Sequence, residues 1–311
     1  MFYFPGVPAG CYSAPKDLPG VSCEDPFDLN ESAPQAIYDI YDALAQDYPQ
    51  FVKKQALGLV SGLEMNRYSF SNFPLDNASP FPHEQFKICI VTSIHGSEKG
   101  CAWTAAKFFD LMYRSCDPHL QFLRRNVVFE VLPVANPYGF ANNQRKNENE
   151  VDLNRNFAAG FIPGKDISST EYGGPFPYSE TETQLVMQFI EDNLDARVVL
   201  DYHNMGKRYP LFFVYGQKDV QLAYGVFAML TDQWQAQYPE FSGNRLIGYV
   251  RPNGNEGMFA DYLLEKKLWP ITLETPMKMP VIGKEKYDAV TMRCALELLV
   301  NTLMTIVTNP Q

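Results

Sequence analysis

Apolar runs of strand length alternate with helix-period patterns along most of this chain, and that alternation constrains its fold more than any other feature. "FKICIVTSI" (86–94) leads into the helical pattern "CAWTAAKFFDLMYRSC" (101–116), and "NVVFEVLPVANP" (126–137) reads as a strand until Asn136-Pro137 stops it. "RVVLDYHN" (197–204), "LFFVYG" (211–216) and "LWPITLETP" (268–276) read as further strands. "APQAIYDIYDALAQDY" (33–48), "VQLAYGVFAMLTDQW" (220–234), "GMFADYLLEKK" (257–267) and "YDAVTMRCALELLVNTLMTIV" (287–307) read as helices. In "SETETQLVMQFIEDNL" (179–194), Ser179 and Glu182 stand at capping-box spacing, which predicts a helix capped by Ser179. Several strands are apolar on both faces, so the expected fold is a three-layer α/β/α domain with a mixed, largely parallel twisted sheet. Ligands of such sheets bind beyond the carboxyl ends of the strands.

Composition narrows the function. The 311 residues are 46% hydrophobic and carry a formal net charge of -10, so the chain can build a large core and lacks the Lys/Arg surplus that nucleic acid or an anionic membrane requires. The Pro/Gly-rich stretch 1–32 reads as an irregular arm and not as a signal peptide, with the folded domain expected over 33–311. "CALELLVNTLMTIV" (294–307) is too short to span a bilayer, so no transmembrane helix and a cytoplasmic location are expected. Cys89, Cys101 and Cys294 fall in apolar segments and read as buried thiols; Cys11 and Cys23 in the arm are the pair that could form a disulfide. His83 ("SPFPHEQ") and His119 ("CDPHL") read as surface residues of loops, and the sequence is silent on oligomeric state.

Four features carry chemistry. His95 and Glu98, in "HGSE", stand at the end of one strand, where they could be metal ligands or a polar strand end. His203 ends the strand "RVVLDYHN"; alone, such a histidine is more often a hydrogen-bonded structural residue. Two strand-end histidines of a parallel sheet point to the same edge, however, and with Glu98 they make the two-nitrogen, one-oxygen set of a catalytic zinc. The polar stretch "NPYGFANNQRKNENEVDLNRNF" (136–157) holds Arg145, Asn154 and Arg155, donors suited to a carboxylate or an oxyanion. Glu274, at the end of "PITLETP", needs either a partner or a task; a zinc-activated water would give it one, as general base.

In order, "HGSE", "NPYGF", "RKNENEVDLNRNF", "YSETET", "DYHN" and "LETP" resemble the zinc carboxypeptidase (carboxypeptidase A-like) superfamily over residues 55 to 300, near its branch shared with succinylglutamate desuccinylase and aspartoacylase. The resemblance implies one zinc ion held by His95, Glu98 and His203, Glu274 as general base and proton shuttle, and Arg145 polarising the scissile carbonyl. It further implies Asn154 and Arg155 as the clamp on a substrate's free carboxylate. For the tyrosine that caps substrate in this superfamily the chain offers Tyr249, with Tyr262 a poorer candidate, and Met258, Phe259 and Ala260 suggest an apolar side-chain pocket. The expected activity is hydrolysis of an amide bond next to a free carboxylate, in a peptide or an N-acyl amino acid. Peptidase is ranked above deacylase on "NPYGF", "VDLNRNF" and "YSETET"; an inactive binding module on the same fold is the third reading.

Overall fold

The computed structural model describes residues 12–14, 33–71, 86–205, 211–214, 222, 225, 226, 230, 247–250, 256–276 and 289–308. Its first helix, α1 (Pro34–Asp47), starts with proline at N1, where the missing N–H is no loss, and buries Ile37, Tyr38, Tyr41 and Leu44. Strands β1 (Val52–Val60) and β2 (Leu63–Phe70) then form a hairpin that the strand and helix patterns above did not include. Its turn is Ser61-Gly62, both at positive φ, and that dipeptide is the sequence signal for it. Next come β3 (Phe86–Thr92), α2 (Lys99–Arg114), α3 (Pro118–Asn126), β4 (Val127–Leu132) and α4 (Pro137–Asn142). The chain continues through α5 (Thr181–Glu191), β5 (Val198–Met205), β6 (Leu211–Val214), β7 (Ile247–Val250), α6 (Phe259–Glu265), β8 (Pro270–Pro276) and α7 (Ala289–Thr308).

These strands make one eight-stranded sheet in the order β1-β2-β4-β3-β5-β8-β6-β7. Strands β4, β3, β5 and β8 run parallel at its centre, while β2 joins β4, and β6 joins β8, antiparallel. The mixed, largely parallel sheet expected from sequence is therefore present, and side-chain alternation divides its two faces. Ile88 and Ile90 of β3, Leu200 of β5 and Leu273 of β8 pack in one core with residues of α1, α2, α3 and α7. Cys89 and Val91, with Val199, pack in a second core with residues of α5 and α6. Helices thus cover both faces, as a sheet with apolar residues on each side requires.

Three expectations change. α3 begins at Asp117, whose side chain accepts from the N–H groups of His119 and Leu120, so His119 is helical and buried, edge-on to the Tyr12 ring, and not a surface loop residue. α5 is preceded by Glu180 with no side-chain cap; Ser179 instead accepts from the Asn156 amide and donates to Glu180, because both neighbours reach its hydroxyl first. The closing helix reaches 20 residues, so length does not exclude it from spanning a bilayer; its packing, with 78% of Thr291–Thr308 buried, is that of a core helix. Tyr12 and Ala14, placed in the irregular arm, are buried against that helix, where Asn301 exchanges two hydrogen bonds with the Tyr12 backbone.

Cys89, Cys101 and Cys294 are buried as expected, whereas Cys11, Cys23 and His83 lie outside the described residues. Most of the 220–234 helix does too; Leu222, Val226 and Leu230 within it are helical and buried at helical spacing.

Candidate metal centre

The carboxyl edge of β3, β5 and β8 gathers the chemical residues. In the parallel register His203 of β5 lies beside Glu274 of β8, and Asp201 beside Thr272, so all four project from the same face of the sheet. β3 ends at Thr92; Ser93, at φ 54°, turns the chain so that His95 follows in the loop before α2. Two motif glycines make this turn possible. A Cβ on Gly96 would lie 2.0 Å from the Gly139 carbonyl carbon, so the "HGSE" loop meets the "NPYGF" helix start backbone to backbone, and one on Gly139 would lie 2.6 Å from the Asn136 side-chain amide that caps its own helix.

His95 and His203 are 4% and 2% exposed, with ring centroids 5.0 Å apart. Each turns Nδ1 toward Glu98: His95 Nδ1 is 2.9 Å from Oε1 and His203 Nδ1 is 2.9 Å from Oε2. Each engages a buried aspartate through Nε2, His95 with Asp152 at 3.2 Å and His203 with Asp201 at 2.8 Å. The two imidazole nitrogens and one carboxylate oxygen all lie within 4.8 Å of one another. This donor set fits a tetrahedral zinc with one position left open, and the Nε2–aspartate bonds are the outer contacts that fix ring orientation in such sites.

Glu98 is the N-cap residue of α2 yet makes no side-chain cap, because both its oxygens are committed to the histidines. Asn204 replaces it: its Oδ1 accepts from the Cys101 N–H in the first turn of α2, and its own N–H donates to Glu98 Oε2 at 3.1 Å. The amide of Asn204 is held in turn by Thr275 Oγ1 at 2.8 Å.

Charge pairing sets the electrostatics. Burial opposes a charged imidazole, but Glu98 and Asp152 raise the proton affinity of His95, and Asp201 with Glu98 raises that of His203 well above the ordinary value. Burial would raise the acids as well; His95 and His203 nevertheless hold Glu98 well below the usual carboxylate range, and His95 with Arg145 does the same for Asp152. Glu274 differs. Burial dominates over the neighbouring histidines and pushes it up to about 7, and its Oε2 has no hydrogen-bond partner among the described residues.

Arg145 stands at the rim, its side chain 38% exposed, with Nε and Nη2 on Asp152 Oδ2 at 3.2 and 2.9 Å and Nη1 3.2 Å from His95 Nδ1. Asp152 also accepts from the Asn154 N–H, which ties the turn Leu153–Arg155 to His95. Asn154 Oδ1 accepts from the Phe259 N–H at 2.8 Å. Arg155 is 8% exposed and its Nη2 meets Glu171 and Glu256. The structure therefore brings His95, Glu98, His203, Glu274 and Arg145 together and links Asn154 and Arg155 to them through Asp152. Tyr249 lies in β7, and its side chain is outside the described set. Tyr262 is no capping residue: it is buried beside Phe157 and bonded to Glu191. Phe259 is likewise core, fully buried and packed on Phe157. Asp152, Asp201 and Asn204 were not singled out from sequence, although Asp201 stands two residues before His203 on a strand and so shares its face.

A sequence profile of the family described as zinc carboxypeptidase matches residues 37–263. The chain is 28% identical over 204 residues to carboxypeptidase A4 of Mus musculus, covering 58% of this chain and 46% of that protein. It is 29% identical over 209 residues to murein peptide amidase A of Escherichia coli (strain K12), covering 64% and 74%. The match spans about half the length of the curated A-type carboxypeptidases. Carboxypeptidase A from Helicoverpa armigera superposes with a TM-score of 0.67 at 17% identity, over 92% of this chain and 75% of that one, and so shares the fold.

Proposed function

The chain belongs to the zinc carboxypeptidase family, and from that premise we propose that it hydrolyses an amide bond next to a free carboxylate in a peptide. His95, Glu98 and His203 would hold one zinc ion, which would supply Lewis acidity at the scissile carbonyl and lower the pKa of water toward about 7. Glu274 takes the proton of the attacking water on its carboxylate and delivers it to the leaving nitrogen. Arg145, fixed through Nε and Nη2 by Asp152 with Nη1 beside His95, stands at the rim where its guanidinium would meet the oxygen that gains charge. Asn154 and Arg155 receive the substrate carboxylate.

The observation that carries this reading is Glu274: a carboxylate 9% exposed, in register with His203, raised to about 7 and with an unpartnered oxygen among the described residues. A group so placed exchanges protons near neutrality, which a general base must do. Glu274→Gln is expected to retain stoichiometric zinc by elemental analysis and lose about 10²–10⁴-fold in turnover. Undiminished activity removes Glu274 from this role. Release of amino acid from acyl amino acids but from no peptide would favour the deacylase reading, and a wild-type protein that binds zinc without hydrolysing either would favour the inactive module.

A further inference from the structure

Arg155 is the residue expected to receive a substrate carboxylate, yet its guanidinium already has company. Nη1 donates to the Asn154 carbonyl at 2.7 Å, Nη2 lies 3.3 Å from Glu171 Oε1 and 3.6 Å from Glu256 Oε2, and Nε has no acceptor among the described residues. The two glutamates come from different segments, one from the 158–178 stretch and one from the turn before α6, and converge on the same nitrogen. Their side chains are 46% and 31% exposed while that of Arg155 is 10% exposed, so the acids form the open rim of a site whose cation is sunk. Lys165 completes the group, its Nζ 2.9 Å from Glu171 Oε2. Lys165 and Arg155 hold the Glu171 carboxyl below its ordinary value, so it is ionised at neutral pH.

Two cations and two carboxylates balance one another in this cluster. A ligand whose free carboxylate lands on Arg155 adds a third negative charge beside Glu171 and Glu256, which disfavours binding. A ligand that brings an ammonium with its carboxylate restores the balance, with the glutamates as acceptors for the ammonium. We propose that Glu171 and Glu256 make this subsite selective for substrates in which an ammonium group accompanies the free carboxylate, either on a basic side chain or on the carbon that bears the carboxylate. The assignment rests on the reading of Arg155 as the carboxylate clamp.

Three ligands isolate the charge: benzoylglycine joined to lysine through its α-nitrogen, the same acid joined to lysine through its ε-nitrogen, and benzoylglycyl-norleucine, which has no ammonium. Calorimetric titration into zinc-loaded full-length Glu274→Gln protein measures binding without turnover. At least one lysine compound is expected to bind about ten-fold more tightly than the norleucine compound, and which one does so locates the ammonium. Adding Glu171→Gln and Glu256→Gln should abolish that preference by raising norleucine affinity, since the repelling charges are gone, and by lowering that of the favoured lysine compound. Equal binding of all three ligands overturns the proposal, and so does a uniform loss of affinity in the double variant, which marks the glutamates as mere supports of Arg155. Cleavage of all three by the otherwise unaltered enzyme without preference leaves the hydrolase reading standing and removes this one. Selective binding without cleavage does the reverse.

Discussion

A helix whose N-cap residue is also a proposed metal ligand has a conflict at its start. The N-cap side chain ordinarily accepts from an N–H of the first turn, but Glu98 spends both oxygens on His95 and His203. Asn204 resolves the conflict from the neighbouring strand, capping Cys101 with its side chain and steadying Glu98 with its backbone. Asn204→Ala is expected to cost about 1 kcal/mol of stability through the lost cap and about ten-fold in zinc affinity through the released Glu98. Competition with a chromophoric chelator measures the affinity, and urea midpoints measure the stability. A stability loss with unchanged zinc affinity would reduce Asn204 to a cap alone. His95, Glu98, His203 and Glu274 were legible in the sequence only as a set: each alone had an ordinary reading, and it was the motifs taken in order that drew them to one sheet edge. Asp152 and Asp201 were not, since an aspartate beside a motif looks like ordinary surface polarity until the partner imidazole is in place. The acids on Arg155 were less legible still: Glu171 and Glu256 stand 16 and 101 positions away in the sequence, and spacing alone does not join them.

At the level of elements, the central strands and the helices that flank them could be read because each keeps one period for its whole length. The β1–β2 hairpin and α3 were missed for local reasons: β1 is exposed through its middle, so alternation is weak, and α3 is a nine-residue helix whose signal is confined to Asp117-Pro118. The start of α5 shows why capping patterns mislead by a residue. Glu182 sits in its first turn, where the helix dipole favours a negative charge, yet burial, with Glu180 and Glu148 nearby, raises its pKa, and the Asn147 amide offsets this only in part. A carboxyl raised in the folded state contributes stability that is fully present below its unfolded pKa and is lost as pH rises through the folded value. Glu182→Gln, which retains the Asn147 contact, should therefore change stability little at pH 4 and raise it at pH 8, as urea midpoints at the two values will reveal. A gain of equal size at both values would mean that ionisation of Glu182 is not the cause.

On the scale of the whole molecule, the site is a junction between parts of the chain that are remote in sequence. His95 belongs to the loop after β3, Glu98 to the start of α2 and His203 to β5, and Glu274 adds β8. Glu98 contacts both histidines, and Glu274 is buried beside them with an oxygen unpartnered among the described residues, a donor set suited to a divalent ion. A divalent ion that binds this arrangement and not the unfolded chain draws the equilibrium toward the fold by mass action. At free zinc about 100 times its dissociation constant the gain is about 2.7 kcal/mol, which for a chain of this size is a rise in Tm of about 4 °C over the chelated protein. The rise should follow the logarithm of free zinc concentration, vanish in His203→Ala, and persist in Glu274→Gln, because the latter removes a proton acceptor and not a ligand. If His203→Ala gains as much as the unaltered protein, zinc is acting elsewhere on the chain. If Glu274→Gln loses the effect, the carboxylate of β8 is part of the metal site itself and cannot be the base.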